Sequence, residues 1–255
     1  MTDGHLNASG AHPLSGKVVL VTGGSRGIGA AIAKRFASIG GRVAIGCRSE
    51  SSAKTVLDGI AATGAEGAAF AGDVASPAAA REMVEQVVAR FGHIDVLVNC
   101  AGVSEHRSFE TSDSDFFHRI FDTNVLGTVS VTQAALPHLT APGGRIINFS
   151  SGLATRPIPK SSIYAASKAA VAALSHALAK EFGPRGITVN TIAPGVIETD
   201  MTAKTLVERG SSIVAMTPLG RIGQPDDISG VALFLASPDA GWLTGRTFIV
   251  DGGVS

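Results

Sequence analysis

The stretch KVVLVTGGSRGIG, residues 17–29, decides the fold of this chain. Its apolar start predicts a buried strand, and Gly23, Gly27 and Gly29 separate that strand from a helical segment. Gly23 permits a tight turn, Gly27 lets the backbone approach a phosphate, and Gly29 lets helix and strand pack closely. Because the N-terminus of the following helix offers free N–H groups to a pyrophosphate, the stretch predicts a dinucleotide-binding turn between strand and helix.

Apolar runs that predict buried strands alternate with helical segments along the rest of the chain. The runs are continuous, as a parallel sheet covered on both faces requires. This order predicts an α/β fold, with one Rossmann-type domain over 15–255 and a doubly wound parallel sheet of about seven strands flanked by helices. The predicted strands are KVVLV (17–21), RVAIGC (42–47), GAAFA (67–71), IDVLVN (94–99), GRIINFS (144–150), GITVNTIA (186–193) and TFIV (247–250), and helical segments include 28–39, 77–91 and 164–182.

Composition excludes several classes of partner and cofactor. The 21 basic and 21 acidic residues cancel, so the net charge offers no argument for nucleic acid or a membrane as a partner. A disulfide framework needs more than the two cysteines, Cys47 and Cys100, and a metal site needs clustered ligands. We therefore expect two reduced thiols and no metal.

The first 14 residues are polar and rich in glycine and alanine. They contain no apolar stretch of the kind that a signal peptide needs, and no later run reaches the roughly 18 apolar residues of a membrane span. We expect a flexible N-terminal tail over 1–14 and a soluble, cytoplasmic protein.

The end of the second predicted strand favours NADP(H) over NAD(H). Proteins that bind NAD usually place an acid there, about 20 residues past the glycines, to bind the ribose hydroxyls. Here that position is Cys47, and Arg48 follows it. An acid would repel a 2′-phosphate, whereas a guanidinium binds it in a bidentate fork. In this hypothesis Arg26 of the glycine loop adds a second cation, and Ser25 and Ser49 add hydroxyls.

Tyr164 and Lys168 in IYAASK form the candidate catalytic pair. Their i, i+4 spacing puts both on one face of a helix, and Tyr164 is the only tyrosine of the chain. A phenol has a pKa of about 10, and a nearby ammonium lowers that pKa toward neutrality, where general acid–base catalysis works best. Ser151, thirteen residues upstream at the end of GRIINFSS, adds a hydroxyl at the mouth of the sheet, and Ser150 is the alternative.

These motifs resemble those of the short-chain dehydrogenase/reductase family over nearly the whole chain, from 17 to 253. The glycine loop has the family's G-x-x-x-G-x-G spacing, Ser151 matches its serine-to-tyrosine spacing, and Asn124 in NVLGT matches a fourth site residue. The resemblance implies an oxidoreductase in which NADPH delivers a hydride to a ketone carbon and Tyr164 gives a proton to the oxygen. It also implies that Ser151 polarises that oxygen and that Lys168 tunes Tyr164 and binds the nicotinamide ribose. Asn124 would hold a water that links the lysine to solvent.

The resemblance further implies which residues contact the cofactor. Asp73 and Val74 correspond to the pair that holds the adenine, and PGVIET (194–199) to a turn beside the nicotinamide. N-C-A-G (99–102) corresponds to a turn that lines the cofactor and steadies the sheet, with Cys100 in place of the usual second Asn. The predicted contacts are Gly23, Ser25, Arg26, Gly27, Ile28, Gly29, Arg48, Ser49, Asp73, Val74, Asn99, Ala101, Gly102, Tyr164, Lys168, Pro194, Gly195, Ile197 and Thr199.

The substrate side is less sharply defined. Residues 200–217 are predicted to form a mobile flap over the substrate. The expected walls, 104–106, 152–154, 158–159 and 196–201, are mostly small or apolar, and Glu105, His106 and Arg107 are interpreted as solvated rim residues. A small to medium neutral ketone or keto ester fits these walls best.

Two other functions stay open. The run TPLGRIGQPDDISGVALFLAS (217–237) through VDGG resembles 3-oxoacyl carrier-protein reductases. An acidic carrier protein needs a basic docking rim, and Arg185 is the one candidate for it. The segment PHLTAPGG, where carrier-dependent relatives tend to have basic residues, offers only His138. PHLTAPGGRI and IPKSSIY also resemble the polyhydroxynaphthalene-reductase and sugar-dehydrogenase branches, which widens the range of substrates. A noncatalytic NADP-binding sensor would typically lose the tyrosine or the lysine, and both are present here.

The segment 164–182 is apolar on more than one face. Its apolar residues include Ala166, Ala170, Val171, Leu174 and Leu178, together with Ala165, Ala169, Ala172 and Ala173. One face is expected to cover the sheet, and a second apolar face predicts burial against another helix. We expect a helix-bundle dimer interface, and the resemblance implies a homotetramer.

Overall fold

One parallel sheet forms the centre of the molecule. The structure is a computed structural model, and it describes residues 12–255. Its strands lie in the order β3-β2-β1-β4-β5-β6-β7, with every neighbouring pair parallel. They are β1 (Val18–Thr22), β2 (Arg42–Cys47), β3 (Gly67–Ala71), β4 (Val96–Asn99), β5 (Arg145–Phe149), β6 (Thr188–Pro194) and β7 (Thr247–Val250). The predicted doubly wound Rossmann-type sheet is confirmed, and the direction of winding reverses between β1 and β4.

Helices cover both faces of the sheet. Those described are α1 (Gly27–Ala37), α2 (Lys54–Ala61), α3 (Pro77–Phe91), α4 (Ser114–Phe121), α5 (Gly127–Ala135), α6 (Ser162–Phe182), α7 (Ala203–Met216) and α8 (Pro225–Ala236). A π-helical turn, Asp122–Leu126, joins α4 to α5. The predicted segment 77–91 coincides with α3, whereas 28–39 and 164–182 differ from α1 and α6 by one or two residues at their ends, where boundaries are least sharp.

The burial of both sheet faces explains the continuous apolar runs of the central strands. The prediction that TFIV (247–250) is a buried strand is wrong, because β7 lies at the edge of the sheet, with two of its four residues exposed and two half-buried. Along β1, Val19 and Val21 enter one hydrophobic core and Val18 and Leu20 enter the other, because successive side chains of a strand point to opposite faces. Helices α1, α2 and α8 complete the first core, and α3, α5 and α6 complete the second. The carboxyl ends of the strands are thereby left as the edge where polar groups gather.

The predicted flexible tail at the N-terminus overlaps the described residues only at its end. Of the predicted tail over 1–14, residues 1–11 lie outside the described residues. Leu14 is 3% exposed and packs into the first core, so the packed part of the domain begins before residue 15. Among residues 12–255, no helix has the length and apolar character needed to cross a membrane.

The segment 200–217, predicted to be a flap, is largely helical. Helix α7 buries only Ile213, and Val207 on the same helix is 88% exposed. A helix with so little buried surface has few packing contacts to hold it in place. Its mobility stays a prediction.

Candidate active site

A large cleft runs along the carboxyl ends of the strands. Its volume is about 1630 Å³, against roughly 300–1,000 Å³ for common small-ligand pockets. The segments that follow all seven strands contribute to its lining. The cleft therefore has room for a dinucleotide and a second, smaller molecule.

The glycine loop forms a cradle at one side of this cleft. Gly23 has a φ of 66°, and a Cβ placed on it would lie 2.8 Å from the Cα of Ala101, so the turn after β1 passes directly against the turn after β4. A Cβ on Gly29 would overlap the carbonyl oxygen of Gly23. Arg26, at the N-cap of α1, makes no side-chain capping hydrogen bond, which leaves the first N–H groups of the helix available. The cradle fits the pyrophosphate of a dinucleotide.

The end of β2 presents cations to the cleft and no acid. Arg48 is exposed and lines the cleft, as does Arg26, whose guanidinium lies 4.0 Å from the carboxylate of Asp200. Cys47 is buried, and its thiol donates a hydrogen bond to the carbonyl oxygen of Ser49 at 3.2 Å. Burial raises the pKa of the Cys47 thiol. The strand end thus has the charge that a 2′-phosphate requires.

Asn99 is the one predicted cofactor contact that does not line the cleft. Its amide nitrogen donates to Asn148 Oδ1 at 2.8 Å and to Thr132 Oγ1 at 3.0 Å, and its side chain is buried. It therefore ties β4 to β5 and α5. Of the two roles that the resemblance implies, the structure places Asn99 in the one that steadies the sheet, because its position on the strand directs the side chain toward α5.

The turn after β6 links the glycine loop to the end of β7. The N–H of Gly195 donates to the carbonyl oxygen of Val250 at 3.0 Å. A Cβ on Gly27 would lie 3.3 Å from Thr199 Cγ2, so this turn also touches the glycine loop. Ile197 is 4% exposed and lines the cleft from the same turn. These contacts position the predicted nicotinamide-side residues in one rigid group.

Tyr164, Lys168 and Ser151 meet in the cleft. Tyr164 and Lys168 lie on the first turns of α6, and Ser151 follows β5. The Ser151 hydroxyl, which accepts from the N–H of Leu153 at 3.2 Å, lies close enough to the Tyr164 phenol to lower its pKa. Ser150, the alternative, donates to the backbone carbonyl of Lys168 at 2.8 Å. The hydroxyl of Ser150 is therefore engaged in joining β5 to α6. The geometry favours Ser151 as the residue that faces a substrate.

Burial dominates the acidity of Tyr164. It raises the pKa of the phenol, while hydrogen bonds with Ser151 and Ser104 lower it. The expected lowering of this pKa by Lys168 is absent in the cofactor-free structure: the Nζ of Lys168 lies 6.0 Å from the centre of the tyrosine ring and donates to the Phe149 carbonyl oxygen at 3.0 Å. The physical reason is that the ring is only 9% exposed, and removal from water disfavours the phenolate.

Lys168 is a buried ammonium at the floor of the cleft. Burial lowers its pKa to about 8, and the thiol of Cys100 acts in the opposite direction. A Cβ on Gly102 would lie 3.3 Å from Lys168 Nζ, so the lysine passes directly beneath the turn after β4. Burial also raises the pKa of the Cys100 thiol to about 12, while the charge of Lys168 acts against this rise. A lysine that titrates near neutral pH in a cleft is typical of sites that move protons.

Asn124 anchors the loop after β4 from the π-helical turn. Its Oδ1 accepts from the N–H of Val103 at 2.8 Å, and its Nδ2 donates to the Val103 carbonyl oxygen at 3.0 Å. Nδ2 also donates to Ser167 Oγ at 3.1 Å, on α6. The backbone carbonyl oxygen of Asn124 already accepts from Thr128 Oγ1 at 2.9 Å, so the predicted water would share an acceptor with that hydroxyl. π-Helical turns of this kind are frequent at functional sites.

The predicted substrate walls agree with the cleft in part. Most of them line it, but Ala154, Pro159 and Glu198 do not. Arg107 forms an ion pair of 3.3 Å with Asp113, so it is a structural residue of the rim. Among residues 12–255, no group of three or more histidine, cysteine or acidic side chains could hold a metal ion, and both cysteines are free.

Two parts of the site were not predicted in these roles. Ser104 was expected only as a wall residue, and its side chain is one of the two that lower the pKa of Tyr164. The residues after β7 were not expected in the site, although Asp251, Gly252, Val254 and Ser255 line the cleft. The available signal was the Gly-Gly pair at 252–253, which indicates a turn directly after a strand whose carboxyl end faces the cleft.

Comparison with known proteins extends these observations. The sequence model of a family described as enoyl-(acyl carrier protein) reductase matches residues 23–255. A short chain dehydrogenase from Burkholderia cenocepacia, solved in complex with NADP, is 39% identical, with a TM-score of 0.89 over 95% of this chain and 99% of that one. This chain belongs to the short-chain dehydrogenase/reductase family. The resemblance seen in its motifs is thereby confirmed.

Two further relatives of this short-chain dehydrogenase/reductase match it along most of their length. An uncharacterized oxidoreductase of Methylorubrum extorquens is 46% identical over 245 residues, which are 94% of this chain and 98% of that protein. The 3-oxoacyl-[acyl-carrier-protein] reductase of Vibrio cholerae is 38% identical over 242 residues, again 94% of this chain and 98% of that protein. The protein is an oxidoreductase of the class that acts on CH–OH and C=O groups.

Proposed function

We propose that this short-chain dehydrogenase/reductase is an NADP(H)-dependent carbonyl reductase and secondary alcohol dehydrogenase, acting on a small to medium ketone or keto ester. The observation that carries the proposal is the convergence of Ser151, Tyr164 and Lys168 in the cleft that also contains the glycine cradle. A phenol with a hydroxyl on one side and an ammonium nearby suits proton transfer to a carbonyl oxygen.

The residues at the cofactor side fit NADP(H). When bound, the nicotinamide supplies the hydride. Arg48 and Arg26 would bind the 2′-phosphate, with Ser25 and Ser49 as further donors, and the relative from Burkholderia cenocepacia contains NADP. The remaining contacts proposed are Gly23, Gly27, Ile28 and Gly29 to the pyrophosphate, Asp73 and Val74 to the adenine side, Ala101, Gly102 and Lys168 to the ribose side, and Pro194, Gly195, Ile197 and Thr199 to the nicotinamide side.

Three side chains would handle the proton at the substrate oxygen. Tyr164 donates its proton to that oxygen during reduction and accepts it during alcohol oxidation. Ser151 donates a hydrogen bond to the same oxygen and aims the carbonyl at the phenol. Lys168 stabilises the phenolate that is left, and its pKa of about 8 allows it to exchange a proton with water held near the Asn124 carbonyl.

Arg48→Asp is expected to reverse or erase the preference for NADPH. Loss of a bidentate charge-assisted contact and the added repulsion should lower the ratio of kcat/KM for NADPH to that for NADH by roughly 10- to 100-fold. The measurement is steady-state reduction of one ketone with each cofactor. Arg81→Asp, which makes the same charge change on exposed α3 outside the cleft, is the matched control.

The wild-type ratio of kcat/KM for NADPH to that for NADH is itself a test of the proposed role of Arg48. A wild-type enzyme that prefers NADH would contradict the role of Arg48. An unchanged ratio in Arg48→Asp with a strong NADPH preference would place the 2′-phosphate at other residues, of which Arg26 is the first to replace.

A second candidate is reduction of a 3-oxoacyl group on a carrier protein, which the relative from Vibrio cholerae favours. Arg185 would be the docking cation, but its guanidinium already donates to the Leu136 carbonyl oxygen at 3.0 Å. We therefore rank this function below the free ketone. A noncatalytic sensor ranks lower still, since the acid and its lysine are both in place.

We also propose a homotetramer with two kinds of interface. On α6, the exposed residues Ala166, Ala169, Ala173 and Ala177 form an apolar stripe, which suits a helix-bundle contact. Across the molecule, Phe234 is 44%, Ile249 45% and Trp242 98% exposed. Large apolar side chains in such positions mark protein interfaces.

Light scattering at micromolar concentration is expected to give the mass of four chains. Trp242→Ser should convert the tetramer to dimers, because one of the two apolar surfaces is lost, while Trp242→Phe should preserve it. A monomeric mass for the wild type would contradict the proposal. We also propose a cytoplasmic location, a flap over 200–217 and a single domain, whose predicted start at residue 15 moves back to include the buried Leu14.

A further inference from the structure

The segment 251–255 forms part of the cleft wall directly after β7. Its residues Asp251, Gly252, Val254 and Ser255 line the cleft, and Val254 is half-buried. None of them has a part in the proton transfer or cofactor binding proposed above. The function proposed above therefore does not explain why these residues line the cleft.

One end of the segment is fixed to the nicotinamide-side turn. Gly195 donates its N–H to the Val250 carbonyl oxygen at 3.0 Å. A Cβ on Gly195 would lie 2.7 Å from the Cβ of Asp251, so the two backbones are in direct contact. The segment therefore starts beside the position at which a substrate carbonyl would meet the cofactor.

The middle of the segment is fixed to the end of the predicted flap. Leu219 donates its N–H to the carbonyl oxygen of Gly252 at 3.2 Å. Gly252 has a φ of 70°, and a Cβ on it would lie 2.7 Å from Thr217 Cγ2. The hydroxyl of Thr217 in turn donates to the Ile213 carbonyl oxygen at 2.7 Å, on α7. The segment thus spans from the turn after β6 to the end of α7.

The carboxylate of Asp251 shapes the rest of the segment. Its Oδ1 accepts from the N–H of Gly253 at 2.9 Å, and its Oδ2 accepts from the Ser255 hydroxyl. This turn keeps Val254 at the cleft. The apolar side chains of Ile213 and Met216 in the predicted flap, and of Leu219 just after it, line the same cleft.

We infer that the segment 251–255 is a specificity-determining wall of the substrate site, in which Val254 limits the size of an apolar substituent on the ketone. The inference rests on the proposed function, which it deepens by naming the substrate class. With Val254 on one side and the apolar flap residues on the same cleft, the substituent that fits is an alkyl or small aryl group. Closure of the proposed flap against this wall would exclude water from the substrate carbonyl that faces Ser151.

Two keto esters of different bulk test the wall. Ethyl acetoacetate and ethyl benzoylacetate share the reacting carbonyl and differ only in the substituent, methyl or phenyl. Val254→Ala is expected to raise the ratio of kcat/KM for the benzoyl ester to that for the acetyl ester by roughly tenfold, and Val254→Phe to lower it by a similar factor. Val129→Ala, at a half-buried valine on α5 outside both the cleft and the flap, is the matched control and should leave the ratio unchanged.

Each outcome has one meaning. Opposite shifts in the two Val254 variants, with NADPH affinity by fluorescence titration kept at the wild-type value, support the wall. A ratio unchanged within twofold in both variants, with both esters still reduced, overturns the wall and leaves the proposed function standing. A wild-type enzyme that binds NADPH and reduces no ketone overturns the proposed function itself, and the wall with it.

Discussion

Replacing Tyr164 by phenylalanine is expected to lower kcat for ketone reduction by roughly 10²–10⁴-fold, the usual contribution of a positioned general acid. Phenylalanine keeps the ring, which is almost fully buried, so NADPH affinity and Tm should stay near the wild-type values. The measurements are the rate of NADPH oxidation with a ketone and a fluorescence titration with NADPH. Loss of rate without loss of cofactor binding is the result that assigns Tyr164 to the chemical step.

The phenol can also be observed directly, because Tyr164 is the only tyrosine in the chain. Its phenolate absorbance should appear only above the ordinary tyrosine pKa in the cofactor-free protein, since burial raises that pKa. Addition of oxidised NADP should lower it, because the nicotinamide carries a positive charge. If Tyr164→Phe kept the wild-type kcat, the proton would come from another donor, and His106, whose ring centre lies 6.1 Å from that of Tyr164, would be replaced next.

Replacing Lys168 by methionine is expected to have opposite effects on activity and stability. Without the ammonium the phenolate is not stabilised, and kcat/KM should fall by roughly 10²-fold or more. The free energy of unfolding of the cofactor-free protein at pH 7 should rise by about 2 kcal/mol. The reason is that the native pKa of about 8 lies below the ordinary 10.5, so folding at pH 7 must bury an ammonium at a cost, partly offset by its hydrogen bond to Phe149.

The pH dependence of this stability difference has a defined sign. Between pH 8 and pH 10.5 the unfolded chain holds the Lys168 proton and the native protein does not, so the wild type gains stability as the pH rises. The advantage of the methionine variant should therefore shrink across that window in urea unfolding experiments. Lys180→Met, on the exposed side of the same helix, should show neither effect. A variant less stable than the wild type at pH 7 would contradict the buried-charge argument.

The architecture was predictable because both sheet faces are covered. Continuous apolar runs such as VVLV follow from that burial, and β1 to β7 lie where those runs occur. The pairing of Tyr164 with Lys168 was predictable for the same kind of reason, since helical periodicity alone puts i and i+4 on one face. Arg48 was predictable from its position at a strand end, which in a parallel sheet faces the site.

Side-chain direction in the site was not predictable. Asn99 and Ala101 are two residues apart, yet Ala101 faces the cleft and Asn99 lies in the interior. Ser150 and Ser151 are adjacent in sequence. Only the hydrogen bond that Ser150 donates to the backbone of Lys168 distinguishes its structural role from the proposed substrate contact of Ser151. The pKa of Tyr164 differs from the expectation for a related reason. Burial raises this pKa, and the burial depends on residues distant in the chain, which no local pattern contains.

The sequence alone determines the order of strands and helices and the glycine cradle. It also determines the catalytic acid, its lysine and the cationic end of β2. Each of these depends on local periodicity or on the fixed polarity of a parallel sheet. The tertiary structure determines three further features: the placement of the segment 251–255 against the end of α7, the interior role of Asn99 and the lowered pKa of Lys168. They depend on contacts between segments as far apart as 195 and 251, and on how completely those contacts remove water from each side chain.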